Sequence, residues 1–414
     1  MESYFNPIVD KAIEDIYYCY DNQRAAQAAK SLSEAVDAGD GDAAYLLSRC
    51  YSGPEYSWKY HCFEFGEDDA KVEQLIRQSV MQGSAMGVLG SMRVGMLTPE
   101  LEAAMPFPSL KAAWDIVYEK AQAGCAFAQN MIGNTYFWGD IFRIEKQDLD
   151  SLSREELIVR LRESMLACVP WFERAIKGGM GFSARNLFNL YLEGEKNLID
   201  PEPSKAWILA KQCAELGHPD WQLKWGRHLQ ESDQEKEGLD WCLRAANQGQ
   251  LDAWFYVGRP YQDGKVVPKD APYALSCYEK GMEDPNQIGC LNRAAQLLFL
   301  GQDGVTQDYA RAVRLLEEAH ALHNDWGNDM LGICYLFGYG CQKDPVRARS
   351  LFEEVKWSTD LLNYGLGLIY ADGLGVPEDI KKGVAYLQKA QNYRPAQEAL
   401  SRFKKTLFGK WVRR

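Results

Sequence analysis

Few side chains in this chain of 414 residues have the types and spacing that chemistry needs. His320 and His323, three apart near the end of a helix, could share a metal ion with Cys334 or Asp325 as a third ligand. A tight ligand quartet is missing around them, and two polar residues at a helix exit, where a cationic imidazole complements the dipole, are the plainer reading. Cys50 and His61 would pair as thiol and imidazole only if the intervening loop folded back, and nothing supplies a third group to orient the base. Cys213 and Cys277 fall on core positions of helices, where packing explains them better than nucleophilic attack. Nucleophile-elbow, phosphate-loop, His-Glu-x-x-His and dinucleotide-fingerprint motifs are all missing from the sequence. We therefore assign no catalytic residue and no metal ligand, expect no cofactor, and expect a chain that is not an enzyme.

Composition narrows the field further. Lys and Arg number 46 against 58 Asp and Glu, a net charge of −12, which argues against wholesale adsorption to nucleic acid or anionic lipid. The first residues lack a cationic stretch followed by an apolar one, and no run approaches the ~18 apolar residues of a membrane span. The cysteines number 11, without a Cys-x-x-Cys, and several sit where a helix would bury them. They read as reduced thiols, and the expected setting is the cytoplasm.

The elements that would position any site emerge from an internal repeat. Val257-Gly258-x-x-Tyr261, Ala295-Gln296-x-x-Phe299, Leu331-Gly332-x-x-Tyr335 and Leu366-Gly367-x-x-Tyr370 superimpose. Six residues after each aromatic stand Val267, Val305, Cys341 and Val376, and nine after it Asp270, Asp308, Asp344 and Asp379. Leu331 and Tyr335, four apart, share one face of a first helix. The small residue beside them admits a close neighbour, and Gly338-Tyr339-Gly340 supplies turn dihedrals. The Asp is placed to cap a second helix, on which Ala348, Leu351, Phe352 and Val355 form one apolar stripe. Each helix is an amphipathic half that must stack on its neighbours. Weaker copies upstream put first helices near residues 43, 86, 128, 184, 221, 253, 292, 328 and 361, about nine repeats.

This pattern resembles the Sel1-like repeat, a relative of the tetratricopeptide repeat. Residues 253–391 carry it most fully, 120–250 with substitutions and 22–120 in outline; Gln296 replaces the packing glycine, and Arg93 and Leu229 the aromatic. The expected fold is all-α, an α/α superhelical solenoid of about nine helix–turn–helix repeats. Residues 1–41 would hold capping helices and the start of the array. Diverged repeats would fill 42–252, with insertions near 54–69, 96–109 and 140–166, the last containing an extra helix at Leu152–Leu166. Well-matched repeats would follow over 253–395, then a cap and basic tail over 396–414.

The resemblance implies a protein–protein interaction scaffold or adaptor. In the related tetratricopeptide geometry, the residue after the packing glycine and the one four earlier face a concave wall. Those positions yield Asn130, Asn134, Arg185, Asn189, Arg227, Arg259 and Arg293; beyond them the wall turns apolar, with Ile333, Phe337 and Leu368. Guanidinium and carboxamide groups suit carboxylates and peptide backbone, so the expected partner is a protein or peptide, acidic or with a free carboxylate. Ion pairs to acids of adjacent repeats are the competing use for these arginines. Two further readings stay open: an enzyme with a site on the insertions 54–69 and 140–166, and a dedicated inhibitor or immunity-type partner of one protein. Residues 402–414, with six bases, no acid and Phe403, Leu407, Phe408 and Trp411 interleaved, form either a capping helix or a basic segment for an anionic surface.

Overall fold

The computed structural model describes residues 3–19, 21–53, 63, 65–196, 198–284 and 287–414. It is an all-α repeat solenoid built from helix pairs. First helices run over Gly41–Tyr51, Ala85–Arg93, Ala126–Phe137, Ala184–Glu193, Pro219–Gln230, Ala253–Asp263, Ile288–Leu300, Asn328–Phe337 and Asp360–Asp372. Each expected first-helix position falls inside or within a residue of one of them. Second helices follow at Asp69–Met81, Leu110–Gln122, Val169–Lys177, Pro203–Glu215, Glu235–Asn247, Ala271–Gly281, Tyr309–Ala321, Pro345–Glu354 and Ile380–Lys389.

The repeat motif works as its residue types dictate. Asp270, Asp308, Asp344 and Asp379 each accept a hydrogen bond from a backbone N–H in the first turn of a second helix, at 2.9–3.0 Å. Pro345 occupies the first helical turn, where its missing N–H costs nothing. A Cβ on Gly332 would sit 2.6 Å from the Phe352 ring, and one on Gly258 2.7 Å from the Tyr278 ring. The glycine thus seats an aromatic from the second helix of its own repeat, and no larger residue leaves room for that ring.

The chain divides into two compact units, residues 1–225 and 226–414, with the boundary inside the helix Pro219–Gln230. In the first unit, Pro7–Ile13 and a short π-helical turn over Glu14–Tyr18 bury Val9, Ala12, Ile13, Ile16 and Tyr17, while Ile8 of the same apolar stripe is exposed. The region 140–166 holds two helices, Asp140–Ile144 and Arg154–Ala167; the region 96–109 holds one, Pro99–Ala104.

The second unit has a core running from Ala271 to Phe403. Its last segment corrects the expectation of a capping helix over 402–414. Helix Arg394–Leu400 ends, and Phe403–Lys405 pairs antiparallel with Trp411–Arg413. Thr406 closes the turn: its carbonyl accepts from the Gly409 N–H at 2.9 Å, its N–H donates to the Lys410 carbonyl at 2.8 Å, and Gly409 takes φ +79°. A left-handed glycine between aromatic and β-branched residues favours a hairpin over a helix.

Candidate functional site

In the second unit, the wall positions gather guanidinium groups on aromatic supports. Arg227 is exposed, and its guanidinium carbon lies 4.8 Å from the Tyr256 ring centroid. Arg259 is half-buried and donates from Nη2 to Gln230 Oε1 at 3.4 Å; Gln230 in turn donates to the Tyr256 carbonyl at 3.0 Å. Burial raises the Tyr256 phenol above its ordinary range, and the charges of Arg227 and Arg259 both oppose that rise. One tyrosine therefore ties the two arginines into a cluster. On the next repeat Arg293 lies 5.5 Å from the Trp326 ring and donates to Gln296 Oε1 at 3.3 Å. Gln296, the residue standing where the motif has glycine, also accepts from Gln262 Nε2 at 3.0 Å.

Among the described residues, none of Arg185, Arg227, Arg259 and Arg293 makes an ion pair, whereas Arg311, Arg347 and Arg402 pair with Glu279, Glu317 and Asp372. The competing use foreseen for the wall arginines is thus served by other positions. Stacking on an aromatic face leaves the edge N–H groups of a guanidinium able to engage a planar acceptor.

The apolar end differs from its expectation in how much surface it offers. Ile333 and Leu368 are only 4% and 7% exposed and pack inside the core. Phe337 is half-buried within an aromatic stack, its ring centroid 5.3 Å from Tyr339 and 6.0 Å from Tyr364, with Tyr309 continuing the stack 4.7 Å from Tyr339. Tyr309 and Tyr339 were not among the expected site residues, because they occupy the second helix and the turn rather than the first-helix wall.

The first unit brings Asn130 and Asn134 together on a cavity of about 260 Å³, but not Arg185 and Asn189, which are exposed on the following first helix. Asn130 Oδ1 accepts from Ser183 Oγ at 3.0 Å, and Asn134 Oδ1 from Asn186 Nδ2 at 2.9 Å. Arg185 lies 5.0 Å from the Phe182 ring. Arg49 also lines the cavity, donating to the hydroxyls of Tyr17 and Tyr45 at 3.0 and 3.1 Å. Burial pushes the Tyr17 phenol up to about 12, so it stays protonated. Arg93, paired with Asp140 at 3.0 Å, closes another side. That pair joins a first helix to an insertion, and no local spacing announces it.

The groups with chemical potential are arranged for structure. His320 Nδ1 lies 3.1 Å from Asn328 Oδ1 and 3.7 Å from Glu354, and among the described residues no three His, Cys, Asp or Glu side chains converge as a metal site. Burial pushes the thiols of Cys50 and Cys213 up to about 12 and that of Cys277 to about 11, the opposite of nucleophile activation. His61, with Trp58 and Cys62 beside it, lies outside the described residues.

Residues 182–218, 225–250, 252–283, 289–322, 328–354 and 362–390 each match the Sel1 repeat family, so this part of the chain is an array of six Sel1 repeats. Proteins of this family generally mediate protein–protein interaction, on a fold that typically serves as a non-catalytic scaffold. The chain is 35% identical over 102 residues to the chitin synthase regulator SKT5 of Saccharomyces cerevisiae, which is 24% of this chain and only 14% of that protein's length. Among solved structures, c5321, a protective antigen of uropathogenic Escherichia coli with an SLR fold, aligns over 91% of this chain and 75% of its own at 21% identity and a TM-score of 0.52. A Sel1 repeat protein from Oxalobacter formigenes aligns over 97% and 95% at 20% identity, with a TM-score of 0.45. No helix among the described residues is long and apolar enough to cross a membrane.

Proposed function

We propose that the chain is a non-catalytic interaction scaffold whose second unit captures an acidic segment, or a free carboxylate, of a partner protein on Arg227, Arg259 and Arg293. The observation that carries this reading is three guanidinium groups on three successive first helices, supported by tyrosine, tryptophan and glutamine yet paired with no carboxylate among the described residues, in a chain of net charge −12. Holding a guanidinium in place beforehand lowers the ordering cost of binding, and a carboxylate can take two parallel N–H bonds from it. The aromatic stack at Phe337, Tyr339 and Tyr364 offers flat apolar surface for a neighbouring anchor side chain. Asn134, Arg185 and Asn189 belong to the first unit and are proposed as contacts for peptide backbone and carboxylate there, with Asn130, only 3% exposed and bonded to Ser183, as a support behind them.

The yeast relative is by name a regulator of another enzyme, and control of a partner through stoichiometric capture fits this surface. A reducing compartment such as the cytoplasm suits the described cysteines, which are all free. A peptide array probed with the purified chain tests the reading. Acidic peptides and free C-terminal carboxylates are expected to be retained, their amidated and Gln-substituted versions are not, and Arg227→Ala/Arg259→Ala is expected to lose the signal with helicity unchanged. Retention that ignores peptide charge would discard the carboxylate site.

A further inference from the structure

The strongest unassigned feature is the hairpin at residues 403–413. Its base is fixed: Phe403 is only 2% exposed, Arg402 donates to Asp372 at 3.0 Å, and Arg413 donates to Glu378 at 3.0 Å and to the Ala371 carbonyl at 2.7 Å. Two of the six cations in 402–414 thereby serve the fold. The other four, Lys404, Lys405, Lys410 and Arg414, form no ion pair among the described residues.

At the apex, Leu407 and Phe408 are 102% and 98% exposed, far beyond Ile208 at 58%, the next most exposed large hydrophobic side chain described. Adjacent apolar residues projected wholly into water bury nothing for the fold, and the closed turn already holds them side by side. Beside the hairpin runs an open groove of about 1110 Å³ onto which Lys381, Lys382, Lys405 and Lys410 all border. Its two acids are occupied: Glu378 by Arg413, and Asp379 by the backbone N–H of Lys382 that it caps.

We propose that this hairpin is a docking tip for an anionic lipid bilayer. Leu407 and Phe408 enter the boundary between headgroups and acyl chains, while Lys404, Lys405, Lys410 and Arg414 lie at the level of anionic headgroups. Shape and charge select this occupant. An exposed apolar apex flanked by Lys405 and Lys410 matches a soft apolar phase covered by negative charge, whereas a protein partner would have to supply a pocket. The remaining 401 residues carry a net charge of −18, so the hairpin is a concentrated cationic segment in an acidic chain. One short tip gives reversible attachment that weakens with salt. This inference is independent of the carboxylate site.

Flotation of the full chain with vesicles tests it. The chain is expected to float with phosphatidylserine-containing phosphatidylcholine vesicles at low salt and not with phosphatidylcholine alone. Leu407→Ser/Phe408→Ser is expected to weaken partitioning about tenfold or more, and Lys405→Gln/Lys410→Gln severalfold, with the circular dichroism spectrum preserved in both. Arg227→Ala/Arg259→Ala should float as the unaltered chain does, separating this outcome from that of the peptide site. Failure to float with phosphatidylserine vesicles overturns the proposal, as does undiminished flotation of the Leu407→Ser/Phe408→Ser variant. Light scattering that shows a dimer lost in that variant, without vesicle binding, would instead make the tip a contact between copies and equally overturn it.

Discussion

A small number of residues decide both the fold and the surface it presents. Gly332 lies beneath Phe352, so Gly332→Ala places a methyl group 2.6 Å from a ring whose neighbours leave it no exit. We expect a loss of about 1–3 kcal/mol, read as a lower urea midpoint with an unchanged slope. His218 is 1% exposed, and burial pushes its imidazole down to about 4 from an ordinary 6.5. A histidine depressed in the folded state contributes its full stability above pH 6.5, and loses it as acid protonates the unfolded chain first. Between pH 6.5 and 4 the loss should approach about 3 kcal/mol. Comparing urea midpoints at both pH values for the unaltered chain and His218→Gln checks it; an equal acid sensitivity in the variant would assign the effect to other groups. The glycine and its offsets were legible in the sequence because they recur in register. The acid-weakened histidine was not, since burial by distant elements has no local signature.

Helix pairs were legible for a related reason: everything that starts, stops and seats them lies within one period. Asp270, Asp308, Asp344 and Asp379 cap second helices because the aspartate stands at a fixed offset from the aromatic, and capping is a contact over three residues. Asp344→Ala should cost about 1 kcal/mol and fray the helix Pro345–Glu354, visible as faster amide exchange in its first turn. The hairpin escaped the same reasoning. Residues 402–414 alternate poorly, and their pairing is settled by tertiary contacts: Phe403 reaching the core and Arg413 reaching Asp372 and Glu378. The long-range contacts of the insertions escaped it as well, since Arg93 and Asp140 meet across 47 residues of sequence.

Across the whole molecule, sequence reading captured composition and periodicity but not the division at Trp225 and Gly226. The period runs straight through that point, inside a helix, so no turn or linker residue marks it. Of the expected wall, Arg227, Arg259 and Arg293 are seated on rings or amides, whereas Ile333 and Leu368 are core residues, because an apolar side chain on a first helix has a second helix to pack against before any partner arrives. With a net charge of −12, encounter with an acidic partner is opposed by the chain as a whole and favoured locally at Arg227, Arg259 and Arg293, so affinity at that site should fall as salt rises. The most direct test is calorimetric titration of the full chain with an acidic peptide recovered from the array, set beside Arg227→Ala/Arg259→Ala at low and raised salt. Binding to one site, weakened at least about tenfold by the double substitution and weakened by salt only in the unaltered chain, is the predicted result. Equal affinity of the two proteins, or affinity indifferent to salt, would contradict it.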